Sequence, residues 1–158
     1  MAVTTTENVK SYSCDAIETD FDFPFSIIGT DTSVLVVTLW EDATSTPTVL
    51  TEAAGAYSYS VAAPNNNYEN GGTISTTKLS GVVYVAYAWP AGYTITIERI
   101  VPYTQPSQFA AGGLNNVALE QTFDNLEFQI QQLDKRKSIH GPPSDLTTVD
   151  YELSLIHI

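Results

Sequence analysis

The feature that most limits the fold is a series of short apolar runs, each ended by turn chemistry, that occupies residues 20–100. Runs of this length suit β-strands and are too short for independent helices. They predict strands near 21–27, 33–40, 56–62, 73–78, 82–88 and 93–100. The breaks have local causes. Ser45-Thr46-Pro47 interrupts after Trp40, Pro64-Asn65-Asn66-Asn67 and Asn70-Gly71-Gly72 tolerate positive φ, and Pro90-Ala91-Gly92 provides a tight link. That link predicts a hairpin between the last two strands. Within 93–99 the residues alternate, so Tyr93, Ile95, Ile97 and Arg99 share one face and Thr94, Thr96 and Glu98 the other. Residues 34–39 are apolar on both faces and predict a central strand.

After Val101-Pro102 the periodicity stops. Residues 102–113, rich in proline and glycine, read as a linker with one anchoring side chain, Phe109. A helix over 114–138 is predicted next, with Asn115 or Asn116 as its N-cap and Lys135-Arg136-Lys137 complementing the negative end of its dipole. Leu119, Phe123, Leu126, Ile130 and Leu133 follow one another at intervals of four, three, four and three, which is heptad spacing. Phe123 and Ile130 take the a positions and Leu119, Leu126 and Leu133 the d positions, layers that do not by themselves select trimers. Two heptads are short for a coiled coil, so the competing expectation is an amphipathic helix packed on its own β-domain. Phe128 lies on the face opposite the seam and is expected to serve a docking partner. The fold class expected is mainly β: an antiparallel β-sandwich-like domain over 1–101, then the linker, then the heptad-patterned helix as a short coiled coil. Residues 139–158 are expected to form an irregular tail at a truncated end of a longer polypeptide.

Composition narrows the chemistry. A chain of 158 residues with 43% hydrophobic and only 15% charged residues suits one β-rich domain held in an assembly. The formal net charge of -12 opposes binding to nucleic acid. No run approaches a membrane span, and the first residues lack the pattern of a secretory signal. Cys14 is the single cysteine, which rules out an intramolecular disulfide and a cysteine-based zinc site. His140 and His157 stand apart from any ligand or triad spacing. Asp15, Glu18, Asp20 and Asp22 read as a solvated strand entry, since no glycine-centred calcium loop accompanies them. The expectation is a non-enzyme with no catalytic residues, no metal and no cofactor. Tyr57, Tyr59, Tyr68 and Trp89 beside the asparagine loops supply the alternative, a carbohydrate-binding adhesin module that stacks host glycans, although core packing is the better reading. Trp40 and Trp89, at strand ends, join Phe109 and Phe128 as candidates for a docking surface.

Phe21-Asp22-Phe23-Pro24-Phe25, the strand at 34–39, Gly92-Tyr-Thr-Ile-Thr-Ile-Glu-Arg-Ile100, Thr104-Gln-Pro followed by Phe109, and the helix from Leu119 to Leu133 form an ordered set. In that order, over roughly residues 12–133, the chain resembles the amino-terminal domain of T7-like phage tail fibre proteins. The resemblance implies a structural virion protein, a tail-fibre anchor or small adaptor assembled in the host bacterial cytoplasm and located in the tail. It implies docking on tail or connector proteins and assembly as a homotrimer, with attachment rather than host recognition as the task. Stalk repeats, a receptor-binding tip and a depolymerase domain, which complete fibres carry, are not visible in this sequence.

Overall fold

In a computed structural model, the structure describes residues 7–102 and 116–140, with side chains to residue 134. It is mainly β with one C-terminal helix. Among the described residues eight strands run β1 (Val9–Ser13), β2 (Asp20–Phe23), β3 (Leu35–Glu41), β4 (Thr46–Glu52), β5 (Tyr57–Ala62), β6 (Gly72–Ser80), β7 (Val83–Ala86) and β8 (Tyr93–Arg99), followed by α1 (Asn116–His140). All eight belong to one sheet in the order β1-β8-β3-β4-β5-β6-β2, with β7 also on β6. The pairings are antiparallel except between β4 and β5, where Thr51 and Glu52 pair in parallel with Ser58 and Tyr59.

The sheet curls into a half-barrel, so its two ends approach each other. Tyr12 of β1 donates its hydroxyl to the Asp22 carbonyl of β2 at 2.6 Å, and its ring lies 5.5 Å from that of Phe21. The concave side encloses the core, centred on Phe21, Phe23, Phe25, Ile27, Val37, Ile74, Ile95 and Ile97. Alternation explains the assignment: Leu35, Val37 and Leu39 of β3 and Ile95, Ile97 and Arg99 of β8 are buried, while their neighbours lie nearer the surface. β3 lies between β8 and β4, inside the sheet as its apolar run predicts.

Several boundaries differ from the sequence expectation, each for a local reason. β2 ends at Phe23 because Pro24 has no N–H to give the ladder, although Phe25 and Ile27 stay buried. β4 forms across Pro47, where a break is expected; β5 pairs only with Thr51 and Glu52, so this end of β4 is an edge and tolerates a missing donor. β1 lacks an apolar run because it is a short, polar strand at the end of the sheet order. The expected hairpin of the last two strands is not formed. Gly81-Val82 instead closes a two-residue hairpin between β6 and β7, with Gly81 at φ 66, as a type II′ turn requires. Residues 87–92 then carry the chain across to β8, between β1 and β3.

Candidate functional site

The helix spans Asn116–His140, a little longer than its pattern predicts at the C-terminal end. It lies on the β-domain through the face that carries Asp124, Phe128 and Gln132, all buried. The centre of the contact is Arg99. As the last residue of β8 it faces inward by strict alternation, and its guanidinium carbon sits 3.6 Å from the centre of the Phe128 ring and 5.7 Å from that of Phe25. Nη1 donates to the Ser26 carbonyl at 2.6 Å and Nη2 to Gln131 Oε1 at 2.6 Å. Two glutamines complete the attachment: Gln132 Oε1 accepts from the Val101 N–H at 2.7 Å, and Gln129 Nε2 donates to the Pro102 carbonyl at 3.0 Å. Burial pushes the Arg99 pKa down to about 10, with Glu127 opposing the shift, so the group is still charged at neutral pH and its cation–π contact is intact.

The heptad seam points the other way. Phe123, Leu126, Ile130 and Leu133 are each between 49% and 66% exposed, and Leu119 is half-buried. Glu120, Glu127 and Asp134, each directly after a d leucine, line one flank, and Thr122 and Gln129 lie on the other. The helix therefore does pack on its own β-domain, but by the face opposite the seam, and the two expectations for it are compatible.

The proposed docking residues separate. Phe128, expected to meet an external partner, is 1% exposed under Arg99 and is the chain's own attachment point. Trp89 is buried in an aromatic group with Tyr57, Tyr87 and Tyr93, its ring centre 4.8 Å from that of Tyr57. Trp40 is at the surface, and Phe109 lies outside the described residues. Sequence reasoning missed Arg99 as the helix anchor, yet the signal was present: an arginine in register with Ile95 and Ile97 has to be buried and paired.

The other chemistry is quiet. Asp15 caps the N–H groups of Glu18 and Ile17, which hold its carboxyl below the usual range. Asp20 and Asp22 accept hydrogen bonds from Ser75 and Thr73 of β6. Among the described residues no group of three or more His, Cys, Asp or Glu side chains is placed to hold a metal ion, and no helix is long and apolar enough to cross a membrane. A cleft of about 580 Å³ beside the asparagine loops is lined by Lys10, Tyr12, Asn65, Asn67 and Asn70. Tyr59 and Tyr68, stacking partners only in the carbohydrate-binding alternative, are buried in the core as the preferred reading expects, Tyr68 stacked on Phe23.

Cys14 is buried, and its thiol is pushed up to about 11 from 9.0, chiefly by burial; a backbone hydrogen bond at Ile95 opposes this, and Asp42 and Asp15 add to it. Because the folded value is the higher, this proton's contribution to stability is complete below pH 9 and is lost as pH rises toward 11. At pH 8 a thiol reagent such as DTNB is expected to label Cys14 only on unfolding, at the unfolding rate. Immediate stoichiometric labelling of the native chain would contradict the burial.

No family model and no curated protein matches the chain.

Proposed function

We propose that this chain is a structural, non-enzymatic attachment unit: the amino-terminal domain of a phage tail fibre, or a small tail adaptor, whose copies join through α1 as a homotrimer. The observation that carries self-association is the exposed seam of Phe123, Leu126, Ile130 and Leu133 on a helix whose opposite face is held by Arg99. Four large apolar side chains in heptad register, left in water, favour a mate of the same pattern. A free helix with two heptads is marginal, but one already ordered against a β-domain loses less entropy on association.

Charge favours a parallel arrangement. An antiparallel pair would set the acidic row of Glu120, Glu127 and Asp134 against its own copy, whereas a parallel bundle sets it against the uncharged Thr122 and Gln129. The β-domains then radiate from the outer faces of one bundle, in the manner of a multivalent anchor. The number three and the tail setting come from the resemblance to T7-like tail fibre proteins.

Sedimentation or mass photometry of the chain and of its Leu126→Asp/Ile130→Asp variant tests the reading. The expected result is a trimer that becomes a monomer with unchanged β-sheet circular dichroism. A monomer in both cases, or an oligomer untouched by the substitutions, would overturn it.

A further inference from the structure

The half-barrel has a second apolar surface, at the end remote from the helix. α1 contacts the domain at Arg99, Val101 and Pro102, and Arg99 in turn reaches Phe25 and Ser26, close to where β6 begins at Gly72 opposite Phe23. The far end of β6, at Ser80, carries the β6–β7 hairpin, roughly 25 Å away at the rise of an extended strand. Every residue of β7 is exposed, as are Leu79 and Val82, the latter at 94%. The hairpin is apolar on both of its faces.

β7 also offers free backbone. The Tyr87 N–H donates to the Thr76 carbonyl, which sets Val85 opposite Lys78 and Val83 opposite Ser80 as hydrogen-bonded pairs. In an antiparallel ladder the intervening residues, Tyr84 and Ala86, then turn their N–H and C=O groups outward. Natural sheets guard such an edge with charge or proline. The other terminal strands here do so: β1 carries Lys10, and β2 carries Asp20 and Asp22. β7 carries neither, and no charged residue lies between Lys78 and Glu98. Its position is nonetheless held, since the Tyr84 hydroxyl donates to the Gly55 carbonyl at 3.1 Å.

We infer that β7 is a docking edge that receives an extended segment of a different protein as an added strand, with an uncharged apolar centre and basic flanks. Strand addition uses the outward groups of Tyr84 and Ala86 for affinity and the valine faces for selectivity. A foreign partner is favoured over a second copy on two grounds. The chain carries -12, and Asp20, paired with Ser75, lies on the same edge of β6 as Ala86, paired with Thr77, so another copy meets like charge whereas a basic segment is attracted. The hairpin also projects from the opposite end of the domain to the helix seam, away from where copies would join. This inference stands apart from self-association through α1.

The test uses the full-length Leu126→Asp/Ile130→Asp chain, so that seam contacts do not intervene, and two fluorescein-labelled peptides of alternating Val and Thr, one with Lys at both ends and one with Glu. Anisotropy is expected to show saturable binding of the Lys-flanked peptide, about tenfold or more tighter than the Glu-flanked one at low salt. Ala86→Pro, which removes one outward N–H, and Val85→Lys, which charges the edge, are each expected to weaken it by a further tenfold or so with the circular dichroism unchanged. Absence of saturable binding, or equal binding by the unsubstituted hairpin and both variants, would overturn the inference. So would self-association of the seam-disrupted chain that Ala86→Pro abolishes, since the occupant would then be a second copy.

Discussion

Phe128→Ala is expected to destabilise the chain by about 3–5 kcal/mol, the range for truncating a fully buried aromatic ring. The loss has two parts. The ring is 1% exposed, so its removal leaves a cavity under the helix, and it also uncovers one face of the buried Arg99 guanidinium, whose carbon lies 3.6 Å from the ring centre. A buried cation deprived of a partner is costly, because its remaining bonds to the Ser26 carbonyl and Gln131 no longer have a dry surround. Phe128→Leu separates the two parts. It fills most of the space without a π face, so the difference between Leu and Phe reports the cation–π term, about 2 kcal/mol for a desolvated contact. Urea unfolding gives the totals, and hydrogen exchange at the amides of α1 shows where the loss acts. Protection in the helix should fall toward that of an isolated helix, while β3 and β8 retain theirs. Unchanged helix protection in Phe128→Ala would mean that the helix is not held by this face.

This arrangement was only half visible in the amino-acid sequence. The seam could be read because heptad spacing is a one-dimensional signal; the docking face could not, because Asp124, Phe128 and Gln132 look like an ordinary polar surface with one aromatic residue. What makes that face internal is Arg99, more than twenty residues away in the chain, and glutamine amides become good core partners only when a backbone N–H such as that of Val101 is in reach. β8 was legible by alternation and β3 by its continuous apolar run. β1 and β4 were not: the first is polar at the end of the sheet order, and the second runs through a proline that is harmless only at an unpaired edge. Pairing partners were the weakest part. Turn residues reveal where the chain bends, but the choice between β6 and β8 as the mate of β7 depended on Gly81 closing the tighter hairpin.

Gly71→Ala provides the second large effect, expected to cost about 3–5 kcal/mol by adding an overpacking penalty to left-handed strain. Gly71 has φ +88, and a Cβ there would lie 1.9 Å from the Phe23 carbonyl oxygen and 2.9 Å from its carbon, so backbone has to move. Gly92 is the control: its φ is +95 but a Cβ would meet nothing within 4 Å, so Gly92→Ala should cost only the conformational part, about 1–2 kcal/mol. Thermal unfolding of the two variants measures the difference, and equal losses would show that the approach of Gly71 to Phe23 is not tight. The consequence reaches past stability. Phe23 leads through Pro24 to Phe25 and Ser26, the ring and the carbonyl that hold Arg99 from the side of the domain. Displacing that segment shifts the anchor under Phe128, so Gly71→Ala should also loosen α1 and weaken any association made through its seam, whereas Gly92→Ala should leave both as they are.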